Sequence, residues 1–387
     1  MSILNSILDL DLYKLTQQQA VLEKFPKAIV KYKFINRGKE KFTKEMVVRL
    51  LSEISQMQYL KLQHHEANFL KRACPFLSNA YIDFLKGYEY DTSEVSVDIK
   101  DGDLDISIEG PWYRTILWEV PLMALISEIY FKYNCVEIKY SDRVTAYDKI
   151  VDLCTIRKIK VADFGTRRRV SYDHHESIVH DAYHLLTGTS NVYLAYYNSI
   201  KPIGTQAHEW FMFHGAMYGY KRANHKALKN WVDVYNGNLG IALTDTFTTD
   251  NFLKSFDSLY AKLFDGVRHD SGCPFDFTDK IYDHYVKLGI DPSTKTIVFS
   301  DGLNKDKVIK IADACEKKGI KCSFGIGTNF SNDIEDSTPL NIVIKMTEAK
   351  FDQDSNWEYT VKLSDSEGKH TGNKDEIDLC KRTLKLC

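Results

Sequence analysis

The rhythm of hydrophobic and polar positions changes near residue 150. Before it, residues 9–24 carry Leu10, Tyr13, Leu15 and Ala20 at helix-compatible spacing. Ala28 to Phe34 alternates like a strand and runs into the turn signal Asn36-Arg37-Gly38. Residues 43–88 read as largely helical, with Met46, Val47, Leu50, Leu51 and Ile54 at helical spacing and a break near Pro75. Val95 to Ile99 and Leu104 to Ile108 alternate on either side of Asp101-Gly102, which predicts a hairpin. Residues 115–133 read as a long apolar helix with Pro121 near its start. Residues 1–149 are therefore expected to form a small mixed α/β domain and a helical connection.

From residue 150 short apolar runs recur, each ending near Gly, Asp, Thr, Ser or Arg, and most lead into a helical pattern. They are Lys160 to Phe164, Val192 to Ala195, Lys201 to Thr205, Gly240 to Thr244, Leu263 to Val267, Thr296 to Phe299, Lys321 to Phe324 and Leu340 to Ile344. Alternating strand and helix patterns imply a parallel sheet or barrel. Their number across residues 150–349 favours an irregular α/β barrel. The polar tail, residues 350–387, is expected to return to the N-terminal domain.

Composition narrows the function classes. The chain has 387 residues, enough for a large core and two domains, and its formal net charge is −2. That balance argues against charge-driven binding to nucleic acid or membrane. No apolar window approaches the length of a membrane span, and the N-terminus lacks the pattern of a signal peptide. The 8 Cys are scattered without a CxxC pair, which reads as reduced, cytoplasmic thiols. The 23 Tyr and 20 Phe suit thick packing or stacking on a planar ligand.

The candidate chemistry sits where strands run into loops, the face on which barrels build active sites. Gly204-Thr205 ends one run and His208 follows in the first turn of a predicted helix, with Thr205 offering a capping oxygen. Thr166-Arg167-Arg168-Arg169 follows Asp163-Phe164-Gly165; it reads as a phosphate grip or as a solvated charge run. Thr244-Asp245-Thr246, Arg268-His269-Asp270-Ser271-Gly272 and Ser300-Asp301-Gly302 end three more runs. Asp270 and Asp301 can bind ribose hydroxyls or a phosphate-held Mg²⁺, or simply cap helices. Gly325-Ile326-Gly327-Thr328 has the form of a phosphate cradle and also of an ordinary turn. Together these ends predict an anionic sugar-phosphate ligand with a planar partner.

In order along the chain, Asp11 to Thr16, Glu109-Gly110-Pro111, Asp163 to Arg168, Thr187 to Asn191, Gly204 to Trp210, Val267 to Gly272, Ser300 to Leu303 and Phe324 to Thr328 resemble the nicotinate phosphoribosyltransferase family, of the ATP-coupled bacterial kind. Val361-Lys362-Leu363-Ser364-Asp365-Ser366 extends the likeness into the tail. The resemblance implies a type II phosphoribosyltransferase-like barrel and a homodimer. It implies that nicotinate and 5-phosphoribosyl-1-pyrophosphate are joined, with ATP and Mg²⁺ as cofactors and His208 as a phosphohistidine. Tyr13 would then stack on the pyridine ring. Thr205, Arg268 and Thr328 would contact nicotinate or the phosphoribosyl group, and Arg168 would hold phosphate. His208, Arg268 and Asp270 are the expected catalytic residues; Asp301, Gly325 and Gly327 join the expected substrate contacts; no dedicated metal ligand is assigned. Cys273 stands where an acidic residue is expected, and Gln17 where Met is usual.

Overall fold

A computed structural model describes residues 2–366 and 368–386. The chain divides into two compact units. The first comprises Met1–Gln19, Lys31–Gly204 and Ile326–Lys345; the second comprises Ala20–Val30, Thr205–Gly325 and Met346–Cys387.

Ten strands are described: β1 (Ile29–Asn36), β2 (Val95–Lys100), β3 (Asp103–Pro111), β4 (Val161–Asp163), β5 (Ile241–Leu243), β6 (Gly266–His269), β7 (Thr296–Phe299), β8 (Lys321–Ile326), β9 (Ile342–Lys350) and β10 (Glu358–Tyr359). They form two five-stranded sheets, ordered β10-β9-β1-β3-β2 and β4-β8-β7-β6-β5. The fold class is α/β, as the strand and helix patterns require.

In the first unit the Asp-Gly pair does what it predicts. β2 and β3 pair antiparallel from Val95↔Ile108 to Lys100↔Asp103. Asp101 and Gly102 both take positive φ, 52° and 82°, the turn whose twist matches the strands. Leu104, Ile106 and Ile108 of β3 are buried while their neighbours are not. The helical stretch divides into Lys44–Met57, His64–Ala73 and Asn79–Lys86. Thr43 and Ser78 cap the first and third through their hydroxyls. The apolar helix runs over Glu119–Tyr133 and is buried on nearly every face; Pro121 falls in its first turn, where no N–H partner is lost.

In the second unit β5, β6, β7 and β8 pair in parallel. Val267, Ile297, Phe299 and Phe324 are fully buried, and the last two rings stack at 5.5 Å. Gly266 is there for close approach: a Cβ on it would lie 1.8 Å from the Thr296 carbonyl oxygen.

Three predicted strands differ, and one belongs elsewhere. Val192–Tyr197 is a helix, started by the side chain of Asn191 accepting from Leu194 N–H; an all-apolar run carries no period to separate helix from strand. Lys201 to Thr205 forms no ladder, only the single parallel bridge Thr189↔Pro202, because Pro202 has no N–H to donate. Leu263 closes a helix, Ser258–Leu263, and the strand begins at Gly266. Ile342 to Ile344 lies in β9, in the sheet that contains β10, and not in the parallel one. In the first unit the bridges Asp163↔Thr189 and Thr189↔Pro202 continue from β4 as single residues, which makes the barrel irregular.

Candidate active site

The helix His208–Tyr218 fixes the centre of the site in the second unit. It starts at His208, and Ala207 is the N-cap, with extended backbone and no side-chain cap bond. Thr205 therefore does not cap it; its hydroxyl donates to the Ile241 carbonyl at 3.1 Å instead.

His208 Nε2 lies 2.9 Å from Asp245 Oδ1 and 3.6 Å from Asp270 Oδ2. Asp245 is buried at the end of β5 and has both oxygens engaged. Its Oδ2 accepts from Ser271 Oγ at 2.6 Å and pairs with Lys362 Nζ at 3.3 Å. Burial opposes ionisation of Asp245, but the Lys362 charge and the His208 and Ser271 hydrogen bonds hold its carboxyl well below the usual range. Burial, assisted by the Lys362 charge, depresses His208 to about 4 against the pull of both carboxylates. The imidazole is thus neutral at physiological pH. Nε2–H donates to the Asp245 carboxylate, so the lone pair sits on Nδ1.

Arg268 is held by three groups. Nε donates to Ser300 Oγ at 2.9 Å, one terminal nitrogen to the Gln206 carbonyl at 3.1 Å and the other to Asp270 Oδ1 at 2.9 Å. Ser300 Oγ in turn donates to Asp270 Oδ1 at 2.7 Å. A guanidinium carries five N–H donors. One on each terminal nitrogen remains, a planar fork suited to carboxylate or phosphate. Burial raises Asp270, yet the surrounding groups, Arg268 first among them and Lys362 with it, together outweigh burial and keep the carboxyl strongly lowered.

The tail straps these strand ends together. Leu363 N–H donates to Thr246 O at 2.8 Å and Ser364 N–H to Asp245 O at 3.1 Å. Asp365 accepts from the N–H and hydroxyl of Thr249, and its own N–H donates to Ser271 Oγ at 3.0 Å. Gly272, at φ 85°, donates to Ser366 Oγ. Asp245 and Lys362 are the members that sequence reasoning left out of the site, although each lay in a stretch already singled out: a polar strand end and the tail motif. Asp301 follows β7, with Lys369 Nζ 3.8 Å from its carboxylate. Gly325 is buried within β8 rather than in the loop beyond it.

The remaining expected residues belong to the first unit. Tyr13 is half-buried in the first turn of Leu12–Lys24, with Lys14 Nζ 5.6 Å from its ring centroid. Gly204 allows the chain to pass this turn, since a Cβ there would meet the Tyr13 amide nitrogen at 2.9 Å. The three arginines part company. Arg169 is fully buried and grips Asp9 bidentately at 2.7 and 2.8 Å, a structural use that the charge pattern alone does not reveal. Arg167 lies 3.8 Å from Asp11, and Arg168 closes a short 3₁₀ turn, half-buried. Gly327 precedes the one-turn helix Thr328–Ser331, and a Cβ on it would lie 3.1 Å from the Phe164 carbonyl oxygen. Cys273 is the exposed N-cap of Pro274–Lys287, and Gln17 is buried.

For a divalent cation the described residues offer one cluster, His208, Asp245 and Asp270, with one donor atom from each within 4.8 Å of the others. Its carboxylate oxygens suit Mg²⁺, whereas the imidazole nitrogen does not.

A buried neutral histidine, a held guanidinium fork and carboxylates at the strand ends of an α/β barrel have the chemistry of an enzyme that handles phosphorylated substrates. The sequence model of the nicotinate phosphoribosyltransferase (NAPRTase) family matches residues 159–386, and that of its N-terminal domain matches residues 8–127. A nicotinate phosphoribosyltransferase of Chromohalobacter salexigens is 50% identical over 99% of both chains, and one of Desulforapulum autotrophicum is 49% identical over 98% of this chain and 99% of that protein. The crystal structure of nicotinate phosphoribosyltransferase from Porphyromonas gingivalis superposes with a TM-score of 0.96 at 42% identity, covering 99% of this chain and all of that one. The chain belongs to the nicotinate phosphoribosyltransferase family.

Proposed function

We propose that the protein joins nicotinate to 5-phosphoribosyl-1-pyrophosphate, giving nicotinate mononucleotide and pyrophosphate in NAD biosynthesis, and couples this to ATP hydrolysis through a phosphohistidine at His208. The observation that carries the coupling is the His208–Asp245 pair. With Nε2–H directed at Asp245, Nδ1 is the nucleophile toward the γ-phosphorus of ATP. The Nδ1–P bond forms as the bond from phosphorus to the ADP oxygen breaks, and ADP departs with the electron pair. The ring gains positive charge, which the buried Asp245 carboxylate offsets. Water later releases inorganic phosphate.

In the transfer step the C1–pyrophosphate bond breaks with positive charge growing on the ribose. Such a reaction needs positioning and electrostatics more than covalent help. We assign the Arg268 fork to an anionic substrate group, Asp270 to orienting that fork, and Asp301 to ribose hydroxyls. To Tyr13 we assign stacking on the pyridine ring, and to Arg168, Thr205, Gly325, Gly327 and Thr328 the phosphoribosyl and nicotinate contacts. Mg²⁺ would be held by Asp270 or Asp301 with phosphate oxygens, and would neutralise the leaving pyrophosphate. The reading includes a homodimer. It also includes a cytoplasmic setting, in keeping with the unpaired buried thiols of Cys74, Cys315 and Cys380; among the described residues no helix is long and apolar enough to cross a membrane.

The test is nicotinate mononucleotide formation with and without ATP, with nicotinamide and quinolinate as competing bases. Product from nicotinate that rises with ATP is expected. Turnover of another base in preference to nicotinate, or indifference to ATP, overturns the corresponding part.

A further inference from the structure

Lys362 has no part in the reading above, yet it lies one carboxylate away from His208. Its Nζ is 3.3 Å from Asp245 Oδ2, while the other oxygen of the same carboxylate holds His208. Its side chain is only 12% exposed. The backbone around it is fixed: Lys362 and Thr371 exchange N–H···O bonds at 2.9 and 2.8 Å, and Leu363 and Ser364 are bonded to Thr246 and Asp245. A desolvated ammonium on a strap held this firmly is placed for an anion.

Charge counting identifies the anion. The carboxylates beside His208, Asp245 and Asp270, are balanced by Arg268 and Lys362. A phosphoryl group brings close to two further negative charges. Three Arg268 donors are committed to Gln206, Ser300 and Asp270, and the two that remain are the fork already assigned to an anionic substrate group. Asp245 already receives His208 and Ser271. An ammonium has three donors, and its ion pair with Asp245 occupies at most one. The Lys362 charge also acts at all three ionisable members of the cluster, depressing His208, Asp245 and Asp270 alike.

We propose that Lys362 is the cation that receives the phosphoryl group at His208, pairing with its oxygens as the Nδ1–P bond forms and turning away from Asp245 Oδ2. This rests on the phosphohistidine reading. It gives the C-terminal strap a part in the ATP half-reaction, since the strap sets where the ammonium can reach.

The experiment follows incorporation of γ-labelled phosphate into His208 of the full-length protein, with the labelled peptide mapped under alkaline conditions. Lys362→Met is expected to slow incorporation about 10- to 100-fold, the worth of one charge-assisted hydrogen bond, and to raise KM for ATP. Lys362→Arg is expected to recover most of the rate, which a merely structural loss at this position does not predict. Should Lys362→Met fail to fold, Lys362→Gln takes its place, keeping a donor to Asp245 without the charge. Label on wild-type His208 with unaltered kinetics in a folded Met or Gln variant overturns this proposal alone. No label on wild-type His208 removes the phosphohistidine reading and this inference with it.

Discussion

Asp245 Oδ1 holds the Nε2 of His208 at 2.9 Å while its Oδ2 faces the Nζ of Lys362 at 3.3 Å, so one buried carboxylate orients the imidazole and compensates the ammonium. The consequence is a histidine with a defined tautomer, whose affinity for protons burial and the Lys362 charge depress against the pull of that carboxylate. Asp245→Asn keeps the shape but removes the charge, and its amide can present N–H instead of oxygen to Nε2. Labelling of His208 by ATP is expected to fall by about 100-fold or more, the scale of a lost orienting base. Labelling within a factor of two of wild type, in a variant with native Tm, contradicts the orienting role.

Arg268 carries the next prediction. Its plane is set by Ser300, Asp270 and the Gln206 carbonyl, leaving one N–H on each terminal nitrogen. Arg268→Lys replaces that fork with a point charge. The expected loss in kcat/KM is about 10- to 100-fold for the substrate it grips. Ser300→Ala releases one anchor only and is expected to cost about fivefold, the worth of one ordinary hydrogen bond. Steady-state kinetics with each substrate varied in turn decide both; equal kcat/KM in Arg268→Lys places Arg268 outside the substrate contacts.

The fold was legible in the sequence wherever local chemistry sets it. The turn at Asp101-Gly102, the strand Thr296 to Phe299 and the placement of His208 in a first helical turn follow from neighbouring residues alone. What escaped depends on contacts distant in the chain. Nothing near Asp245 indicates that Lys362, far downstream, supplies its counter-charge. Nothing in three adjacent arginines tells which one turns inward; Arg169 does so because Asp9, 160 residues away, is buried opposite it. The Val192 run misled for a different reason: every residue from Val192 to Tyr197 is apolar, so only the capping Asn191 distinguished helix from strand.

The Asp9–Arg169 pair yields a stability prediction. Both side chains are fully buried, the guanidinium grips both carboxylate oxygens, and Asn191 donates to the same carboxylate at 2.7 Å. Burial disfavours the Asp9 charge, but Arg169 more than compensates and lowers its pKa. Arg169→Leu strands an acid without its cation. The expected cost is about 3–5 kcal/mol, because breaking one side of a buried pair leaves the other uncompensated. Asp9→Asn/Arg169→Leu together is expected to cost less than Arg169→Leu alone. Urea unfolding of the single and double variants measures both, and a double variant less stable than Arg169→Leu shows that the two side chains act independently.

The last prediction concerns acid and starts from His214, buried nearly two turns beyond His208 on the same helix. Both of its ring nitrogens are occupied. Nδ1–H donates to the Trp210 carbonyl at 2.7 Å, and Nε2 accepts from the Asn230 side-chain amide at 2.9 Å. A second proton on Nε2 would face an N–H instead of a lone pair, and burial disfavours the charge further. Burial, with a lesser push from Lys226, holds the folded-state value at about 3 despite the Trp210 carbonyl. In the unfolded chain the same imidazole titrates near ~6.5. The unfolded state therefore takes the proton first. The contribution is fully present above that unfolded value and is lost as pH falls toward about 3, at about 1.4 kcal/mol per pH unit. Between about pH 7 and pH 5 this one group accounts for about 2 kcal/mol. His174 and His208, both depressed to about 4 by burial, act with the same sign and steepen the loss. His214→Gln retains an acceptor for Asn230 but cannot titrate. Its unfolding free energy, measured by urea at about pH 7 and about pH 5, is expected to fall by about 2 kcal/mol less than that of wild type over that interval. Equal losses in the two proteins show that the His214 proton is not coupled to folding.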